Sequence, residues 1–219
     1  MEWWPKTGGG EVCQVPEVLR GHPSPYGFDL VGSAFGTVAL DAIVDGGACA
    51  PGDALIGLPA SGVHSNGLTL ARRVLLDEAG LALDARPEAL GGATVADVLL
   101  EPTVIYVRAI LKLLRSDVPV HGLAHITGGG LLNLLRLGEG VGFEISQPLP
   151  VCPVFSAIAE LGNVTAAEMW EVFNMGCGFC CVVASGDVQD ALDALTSGVP
   201  DARRIGRVRD GSGVSTLPA

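Results

Sequence analysis

The alternation of apolar and polar positions predicts strands and helices in turn from residue 54 onward. A short apolar run at residues 54–58 predicts a buried strand, and an amphipathic pattern at residues 68–79 predicts a helix. The same reasoning predicts further strands at residues 118–126, 142–145, 178–183, 204–209 and 214–217, and further helices at residues 95–100, 102–115, 131–137, 155–161, 165–173 and 188–195.

Two features precede these elements along the chain. Residues 28–43 form a nearly continuous apolar run with glycines and predict a strand with bends. Residues 45–53 contain Gly46-Gly47 and Pro51-Gly52, which predict turns and a domain boundary. We therefore expect the remnant of one domain over residues 1–47 and a second domain over residues 48–219.

The last elements decide the predicted fold class. Thr165 and Glu168 fit a capping box, and the helix they begin is followed by strand, helix, strand and one more strand, which we expect to add antiparallel. This order predicts an α+β fold of α/β layers, with a mixed sheet and a ferredoxin-like β-α-β ending. It does not fit a doubly wound parallel sheet.

Composition excludes several classes of function. Hydrophobic residues make up 48% of the chain and charged residues 17%, so a sizeable core forms and we expect a partner chain to cover some surface. The formal net charge of −11 argues against nucleic acid and anionic membranes as partners. No apolar run has the length a bilayer needs, and residues 1–6 show no basic region followed by an apolar core. We therefore expect a cytoplasmic protein without a signal peptide.

The cysteines predict no metal site. Six are present, and in the cytoplasm we expect reduced thiols. Cys177, Cys180 and Cys181 have a spacing that fits metal ligands, but no second ligand pair stands at a usable distance. The segment also has the pattern of a buried strand, in which cysteine packs as a small hydrophobe.

The segment at residues 61–67 (SGVHSNG) carries the strongest chemical signal. It places His64, Ser65 and Asn66 between a predicted strand and a predicted helix, with Gly62 and Gly67 on either side. Glycine lets the backbone approach a ligand, and a helix start offers N–H groups to an anion. The alternative is a plain turn in which Asn66 or Thr69 caps the helix and His64 lies in solvent.

Three further glycine-rich junctions follow this pattern. Residues 125–130 (HITGGG) leave backbone N–H groups uncovered, which suits an anion, although a flexible turn is the alternative. Residues 173–176 (FNMG) place Asn174 where it can bind a carboxamide or amidine, or simply end a helix. Glu11 follows three glycines and can reach a metal ion or nucleotide, or lie in solvent. We expect the junctions at residues 61–67, 125–130 and 173–176 to share one site.

In this order the junctions resemble the C-terminal part of the aminoimidazole ribonucleotide synthetase (phosphoribosylformylglycinamidine cyclo-ligase) family. The likeness runs from about residue 9 to residue 209. The matching blocks are Gly9-Gly10-Glu11, residues 62–67 with Leu70 and Arg72, residues 101–107 (EPTVIYV), residues 124–130 with Asn133, Glu168-Met169, residues 173–178 and Ile205-Gly206.

The resemblance implies an activity, cofactors and an assembly. Members of the family have two α/β domains and form dimers through their N-terminal domains. They require ATP and magnesium, and ATP phosphorylates the amide oxygen of formylglycinamidine ribonucleotide. A nitrogen of the same substrate then closes the imidazole ring and expels phosphate, which yields aminoimidazole ribonucleotide, a step of purine biosynthesis.

The resemblance also assigns roles to individual residues. His64 and Asn66 are expected to be catalytic, with His64 moving a proton during ring closure. Glu11 is expected to lie close to the nucleotide or metal. The expected substrate-binding residues are Ser65, Gly67, His125, Thr127, Gly128, Gly129, Gly130, Asn174 and Gly176.

Departures from the family pattern leave other interpretations open. The stretches Asp-Gly-Val-Gly-Thr-Lys and Val-Asn-Asp, which hold nucleotide and metal in the family, have no match, and Glu171 stands where the family has Arg. We expect a truncated or split chain that retains a remnant of the ATP-binding domain over residues 1–47. It would work as a homodimer or with a partner chain that supplies the missing domain. The alternatives are a non-catalytic module that binds a phosphorylated ligand or assists assembly, and a sister enzyme of the superfamily.

Overall fold

The structure is a computed structural model that describes residues 32–216. Contacts divide the chain into two units, Met1–Ala42 and Ile43–Ala219. In the first unit, residues 32–39 form neither helix nor strand, and Leu40–Ala42 is a 3₁₀ turn. The strand predicted at residues 28–43 is therefore wrong for residues 32–43, and residues 28–31 lie outside the described part. A strand needs a hydrogen-bonded neighbour, and residues 32–43 pair with no strand among the described residues.

The second unit is built on a six-stranded sheet. Its strand order is β2-β4-β1-β5-β3-β6, and every neighbouring pair is antiparallel except β3 with β6. The last strand was expected to add antiparallel, and that expectation is wrong, because β6 pairs in parallel with β3. The strands are β1 (Ala54–Pro59), β2 (Val120–His125), β3 (Val141–Ile145), β4 (Cys177–Val183), β5 (Arg203–Asp210) and β6 (Val214–Thr216).

Helices connect the strands. The α-helices are α1 (Leu68–Arg72), α2 (Val95–Leu100), α3 (Val107–Leu114), α4 (Pro153–Leu161), α5 (Ala166–Val172) and α6 (Val188–Thr196). A π-helical segment, Arg73–Glu78, continues α1, and a 3₁₀ helix, Gly130–Arg136, follows β2. Helix α3 begins five residues later than predicted, so Pro102 lies outside its first turn. Thr165 caps α5 by accepting a hydrogen bond from the Glu168 amide at 3.3 Å.

Both faces of the sheet are covered, which gives the layered α+β fold that the sequence predicts. Helices α3 and α6 pack on one face against the side chains of β1, β2 and β4. The 3₁₀ helix packs on the opposite face against Leu55, Phe143 and Val182. A third apolar cluster joins α1, α2, α4 and α5.

The end of the chain has the predicted β-α-β form. Strands β4 and β5 both run antiparallel to β1, which lies between them, and α6 connects them. This is the split β-α-β arrangement of ferredoxin-like sheets. It brings the ends of β1 and β2 and the segment before β4 towards one region of the molecule. No helix among the described residues has the length and apolar character needed to cross a bilayer.

Candidate functional site

The loop between β1 and α1 holds His64 in a buried, constrained position. His64 has φ of 60° and is 7% exposed, so the alternative that places it in solvent is wrong. The Ser61 amide donates a hydrogen bond to His64 Nε2 at 3.1 Å, which leaves the proton of the neutral ring on Nδ1. Nδ1 is buried and has no hydrogen-bond partner among the described residues.

The electrostatic surroundings of His64 favour its neutral form. Burial lowers the pKa of the imidazole from its ordinary value of 6.5, and the nearby charge of His125 lowers it further. A neutral imidazole near pH 7 can accept or donate a proton. The buried Nδ1 without a partner is the kind of unsatisfied group that calls for a functional explanation.

Two hydroxyl contacts join this loop to the segment that precedes α3. Ser61 Oγ donates to the Pro102 carbonyl at 2.7 Å, and it also lies 3.2 Å from His64 Nε2. Ser65 Oγ lies 3.5 Å from Thr103 Oγ1. Ser65 and Asn66 are themselves exposed, so their polar atoms face solvent at the rim of the loop.

The side chain of Asn174 also holds the loop at residues 61–67 in place. Its Nδ2 donates to the carbonyls of Gly62 at 2.9 Å and Val63 at 3.3 Å, and its Oδ1 accepts from the Gly176 amide at 2.9 Å. The residue is 4% exposed. These contacts engage both polar atoms of Asn174 within the protein, and its recognition of a carboxamide or amidine stays a prediction. Asn174 positions the backbone that carries His64.

The glycines at this junction make room for close packing. A Cβ on Gly67, at φ of 90°, would lie 2.4 Å from the ring of Phe173. A Cβ on Gly176, at φ of 88°, would lie 2.3 Å from the Pro150 carbonyl oxygen. The structure thus gives Gly67 and Gly176 a packing role, whereas the resemblance assigns them to substrate binding.

The turn at residues 127–130 is held by Asn133. The Oδ1 of Asn133 accepts from the Thr127 amide at 3.1 Å and from the Thr127 hydroxyl at 2.9 Å, and its Nδ2 donates to the Gly128 carbonyl at 3.0 Å. The Gly130 amide donates to the Thr127 carbonyl at 3.0 Å. The amides of Gly128 and Gly129 donate to no acceptor within residues 32–216, so they remain available to an anion.

Direct contacts bring the three junctions together. A Cβ on Gly128 would lie 3.5 Å from Asn66 Oδ1, which joins the second junction to the first. A Cβ on Gly130 would lie 2.7 Å from the Phe173 carbonyl oxygen, which joins the second to the third. His125 is exposed at the end of β2, and its ring stacks on Phe179 with centroids 5.9 Å apart. One region of the molecule therefore collects an imidazole, exposed hydroxyl and amide groups, and free backbone amides.

Sequence reasoning missed the role of Tyr106. Its hydroxyl donates to the Pro59 carbonyl at 2.7 Å, and burial raises the pKa of that hydroxyl so that it stays protonated. Its ring lies beside both His64 and His125, with centroids 6.4 Å and 6.1 Å away. A buried tyrosine usually needs a partner for its hydroxyl, and Tyr106 also stands in the matching block at residues 101–107; these are the signals that the sequence offered.

One residue was expected to lie close to the nucleotide or metal. Glu11 lies outside the described residues. Residues 32–216 contain no group of three His, Cys, Asp or Glu side chains placed to hold a metal ion. Magnesium usually binds through one or two carboxylates and the phosphates of its nucleotide, so within residues 32–216 it has no three-ligand group of its own.

Other titratable side chains have structural contacts. His121 Nδ1 lies 2.7 Å from Asp53 Oδ2, which also accepts from the Ala50 amide. These contacts give His121 a structural role. Cys177, Cys180 and Cys181 lie buried in β4, as the apolar pattern predicts, and burial raises the pKa of the Cys181 thiol.

A family model and the most similar curated relatives point to the same protein family. Residues 50–217 match the family model described as AIR synthase related protein, C-terminal domain. The chain is 48% identical to a phosphoribosylformylglycinamidine cyclo-ligase of Methanopyrus kandleri over 94% of its own length and 58% of the relative's. It is 50% identical to the protein of that name from Myxococcus xanthus, over 95% of its own length and 59% of the relative's. The chain thus spans less than two thirds of the length of these relatives.

Solved structures support the same fold. The crystal structure of E. coli HypE matches with a TM-score of 0.52 and 25% identity, and the match covers 79% of this chain and 48% of that one. A structure of the hydrogenase maturation protein HypE in complex with ATP matches with a TM-score of 0.53 over 82% of this chain and 52% of that one. At 18% identity the second likeness concerns the fold alone.

Proposed function

The chain belongs to the AIR synthase related protein family through its C-terminal domain, and from this premise we propose that it acts in the ATP-dependent cyclisation of formylglycinamidine ribonucleotide to aminoimidazole ribonucleotide. The names of relatives at 48% and 50% identity support this ligase reaction of purine biosynthesis. Since the chain spans 58% of the first of these relatives, the reaction needs the remainder of the protein, supplied by the same gene or by a second chain.

The observation that carries the proposal is the convergence of two unlike groups. The free amides of Gly128 and Gly129 can bind the phosphate of a ribonucleotide without a basic side chain, which suits a chain of net charge −11. Asn66 adjoins that turn, and two residues before it stands His64, whose buried Nδ1 has no partner among the described residues.

Each residue then takes a distinct part. His64 moves a proton when the ring closes, because its lowered pKa keeps the imidazole neutral near pH 7. Ser65 and Asn66 contact the ribonucleotide from the rim of the loop, and Thr127–Gly130 hold its phosphate. Asn174 and Asn133 act as positioning residues, since their side chains hold the two loops.

The cofactors and assembly are part of the proposal. ATP supplies the phosphoryl group that activates the amide oxygen, and magnesium accompanies ATP. Glu11 lies close to the nucleotide. The active unit is a homodimer or a complex with a chain that carries the nucleotide-binding domain, and it works in the cytoplasm.

The experiment combines this chain with the N-terminal part of the Methanopyrus kandleri relative that it does not match. Formation of aminoimidazole ribonucleotide is followed in the presence of ATP and formylglycinamidine ribonucleotide. We expect product only from the assembled mixture, and we expect His64→Gln to lower kcat by about 100-fold or more while substrate binding persists. A stable assembly that binds the ribonucleotide without product would instead identify a binding module.

A further inference from the structure

An apolar cavity of about 290 Å³ opens beside the candidate site, between the N-terminal part of α3 and the ends of β2 and β4. Its size is close to the lower bound of about 300 Å³ for pockets that hold small molecules. Its lining includes Val104, Ile105, Tyr106, Val107, His125 and Phe179.

Three rings form the aromatic part of this wall. His125 and Phe179 are nearly parallel, with an interplanar angle of 22° and centroids 5.9 Å apart. Tyr106 meets Phe179 at 5.5 Å and His125 edge-on at 6.1 Å. The hydrogen bond from the Tyr106 hydroxyl to the Pro59 carbonyl fixes the third ring. Pre-oriented rings favour a planar ligand, because stacking needs no rearrangement on binding.

Two segments that line the cavity also carry residues of the candidate site. Val104 follows Thr103, whose hydroxyl contacts Ser65 Oγ at 3.5 Å. His125 precedes the turn at residues 127–130, and Gly129 stands four positions after it, so their Cα atoms are within a reach of at most about 14 Å. That reach is comparable to the length of a mononucleotide, so one ligand can touch the rings and the free amides at once.

We infer that the cavity receives the planar nitrogen heterocycle of a ribonucleotide, packed against the nearly parallel rings of His125 and Phe179 and the tilted ring of Tyr106, while its phosphate lies at Gly128 and Gly129. The inference rests on the proposed function, since it takes the aminoimidazole ring of the product as the occupant. His125 adds a polar nitrogen to an apolar wall, which suits a heterocycle better than a hydrocarbon. Ile105 and Val107, 80% and 60% exposed, line the mouth where the ring enters.

The test uses probes that carry one half of the ligand each. 5-Aminoimidazole ribonucleoside has the ring without phosphate, and inorganic phosphate has no ring. Both are titrated into the full chain, with binding followed by ligand-detected NMR. We expect Phe179→Leu to weaken the ribonucleoside about 3- to 10-fold and to leave phosphate binding unchanged. His125→Phe, which keeps a stacking surface, is expected to retain ribonucleoside binding, whereas His125→Ala weakens it.

The matched control is Phe35→Leu, the same change at a fully exposed phenylalanine that does not line the cavity. It should leave both affinities unchanged, and circular dichroism checks that each variant keeps the fold. The inference is overturned if the ribonucleoside does not bind, which is the result expected when a segment of the protein fills the cavity. It is also overturned if Phe179→Leu and His125→Ala leave the affinity for the ribonucleoside unchanged. Ring binding that depends on these residues, in an assembly that forms no product, would support the inference and contradict the proposed function.

Discussion

The loop at residues 61–67 and the turn at residues 127–130 are built in opposite ways. The loop is held from outside, because Asn174 and the carbonyl of Pro102 bind it across more than thirty-five residues of sequence. It keeps a buried side-chain atom, His64 Nδ1, without a partner among the described residues. The turn is held by Asn133, which follows it closely in sequence. Its Gly128 and Gly129 amides have no acceptor among the described residues.

The loop and the turn therefore suit different tasks. A side chain that can gain or lose a proton suits chemistry, and its support from distant residues makes its position depend on the whole fold. Backbone amides in a locally closed turn cannot titrate, so they suit the steady binding of an anion. The predictions below separate the two regions by disturbing each support in turn.

Gly130→Ala should produce the largest effect, at the point where the turn packs on α5. An added Cβ would lie 2.1 Å from the Trp170 carbonyl oxygen, and the residue has φ of 52°. We expect the free energy of unfolding in urea to fall by about 4 kcal/mol, since backbone strain and a clash with main chain add together.

The matched control for that change is Gly140→Ala. Gly140 has φ of 75°, but nothing lies within 4 Å of its added Cβ. It therefore bears only the conformational cost of about 1–2 kcal/mol. Equal losses for the two variants would mean that contact with α5 does not constrain the turn.

Asn174→Ala should come next, and its structural effect should be confined to the loop. The change removes three hydrogen bonds and leaves the Gly62 carbonyl buried without this donor, so we expect a loss of about 3 kcal/mol in unfolding free energy. Amide chemical shifts should move at residues 61–67 and stay in place at Gly128 and Gly129. Asn66→Ala, at an exposed position, should cost less than about 0.5 kcal/mol.

Asn133→Ala is the reciprocal change and should be somewhat milder. It removes the contacts that Asn133 makes to Thr127 and Gly128, in a turn that is itself partly exposed, so we expect a loss of about 2 kcal/mol. Phosphate affinity should fall, while the NMR signals of the His64 ring stay unchanged. Disturbance of His64 by this variant would show that the two regions are not independent.

The sequence predicted β1 and β4 well because both are apolar runs that are almost wholly buried. It misplaced the start of α3, because tertiary contacts from Ser61 and Ser65 hold residues 102 and 103 outside the helix. It predicted a strand at residues 28–43 from an apolar pattern, although a strand also requires a partner.

The site was predicted in part for similar reasons. Glycine and polar residues at the ends of elements revealed the loops, since such residues mark close backbone approach. The roles of Asn174 and Asn133 could not be read, because a sequence does not show which carbonyls and amides need partners. Tyr106 was missed because its neighbours come from β1, β2 and β4.

The smallest expected effect is the pH dependence of stability due to His64. Its pKa in the folded chain lies below the ordinary value of 6.5. Below pH 6.5 the unfolded chain therefore binds more protons than the folded chain at this residue, so stability is retained above that pH and lost as the pH falls towards the folded pKa. His64→Gln should flatten this part of the curve in urea titrations. An unchanged slope would mean that His64 titrates alike in both states.

The central claim is that the loop at residues 61–67 and the turn at residues 127–130 serve one ligand. The most direct measurement is a titration of ¹⁵N-labelled chain with ribose 5-phosphate, which carries the sugar and phosphate of the proposed substrate. The account predicts that the amides of Gly128 and Gly129 and those of Ser65 and Asn66 shift together with a single dissociation constant. Shifts at only one of the two regions, or separate dissociation constants for each, would contradict it.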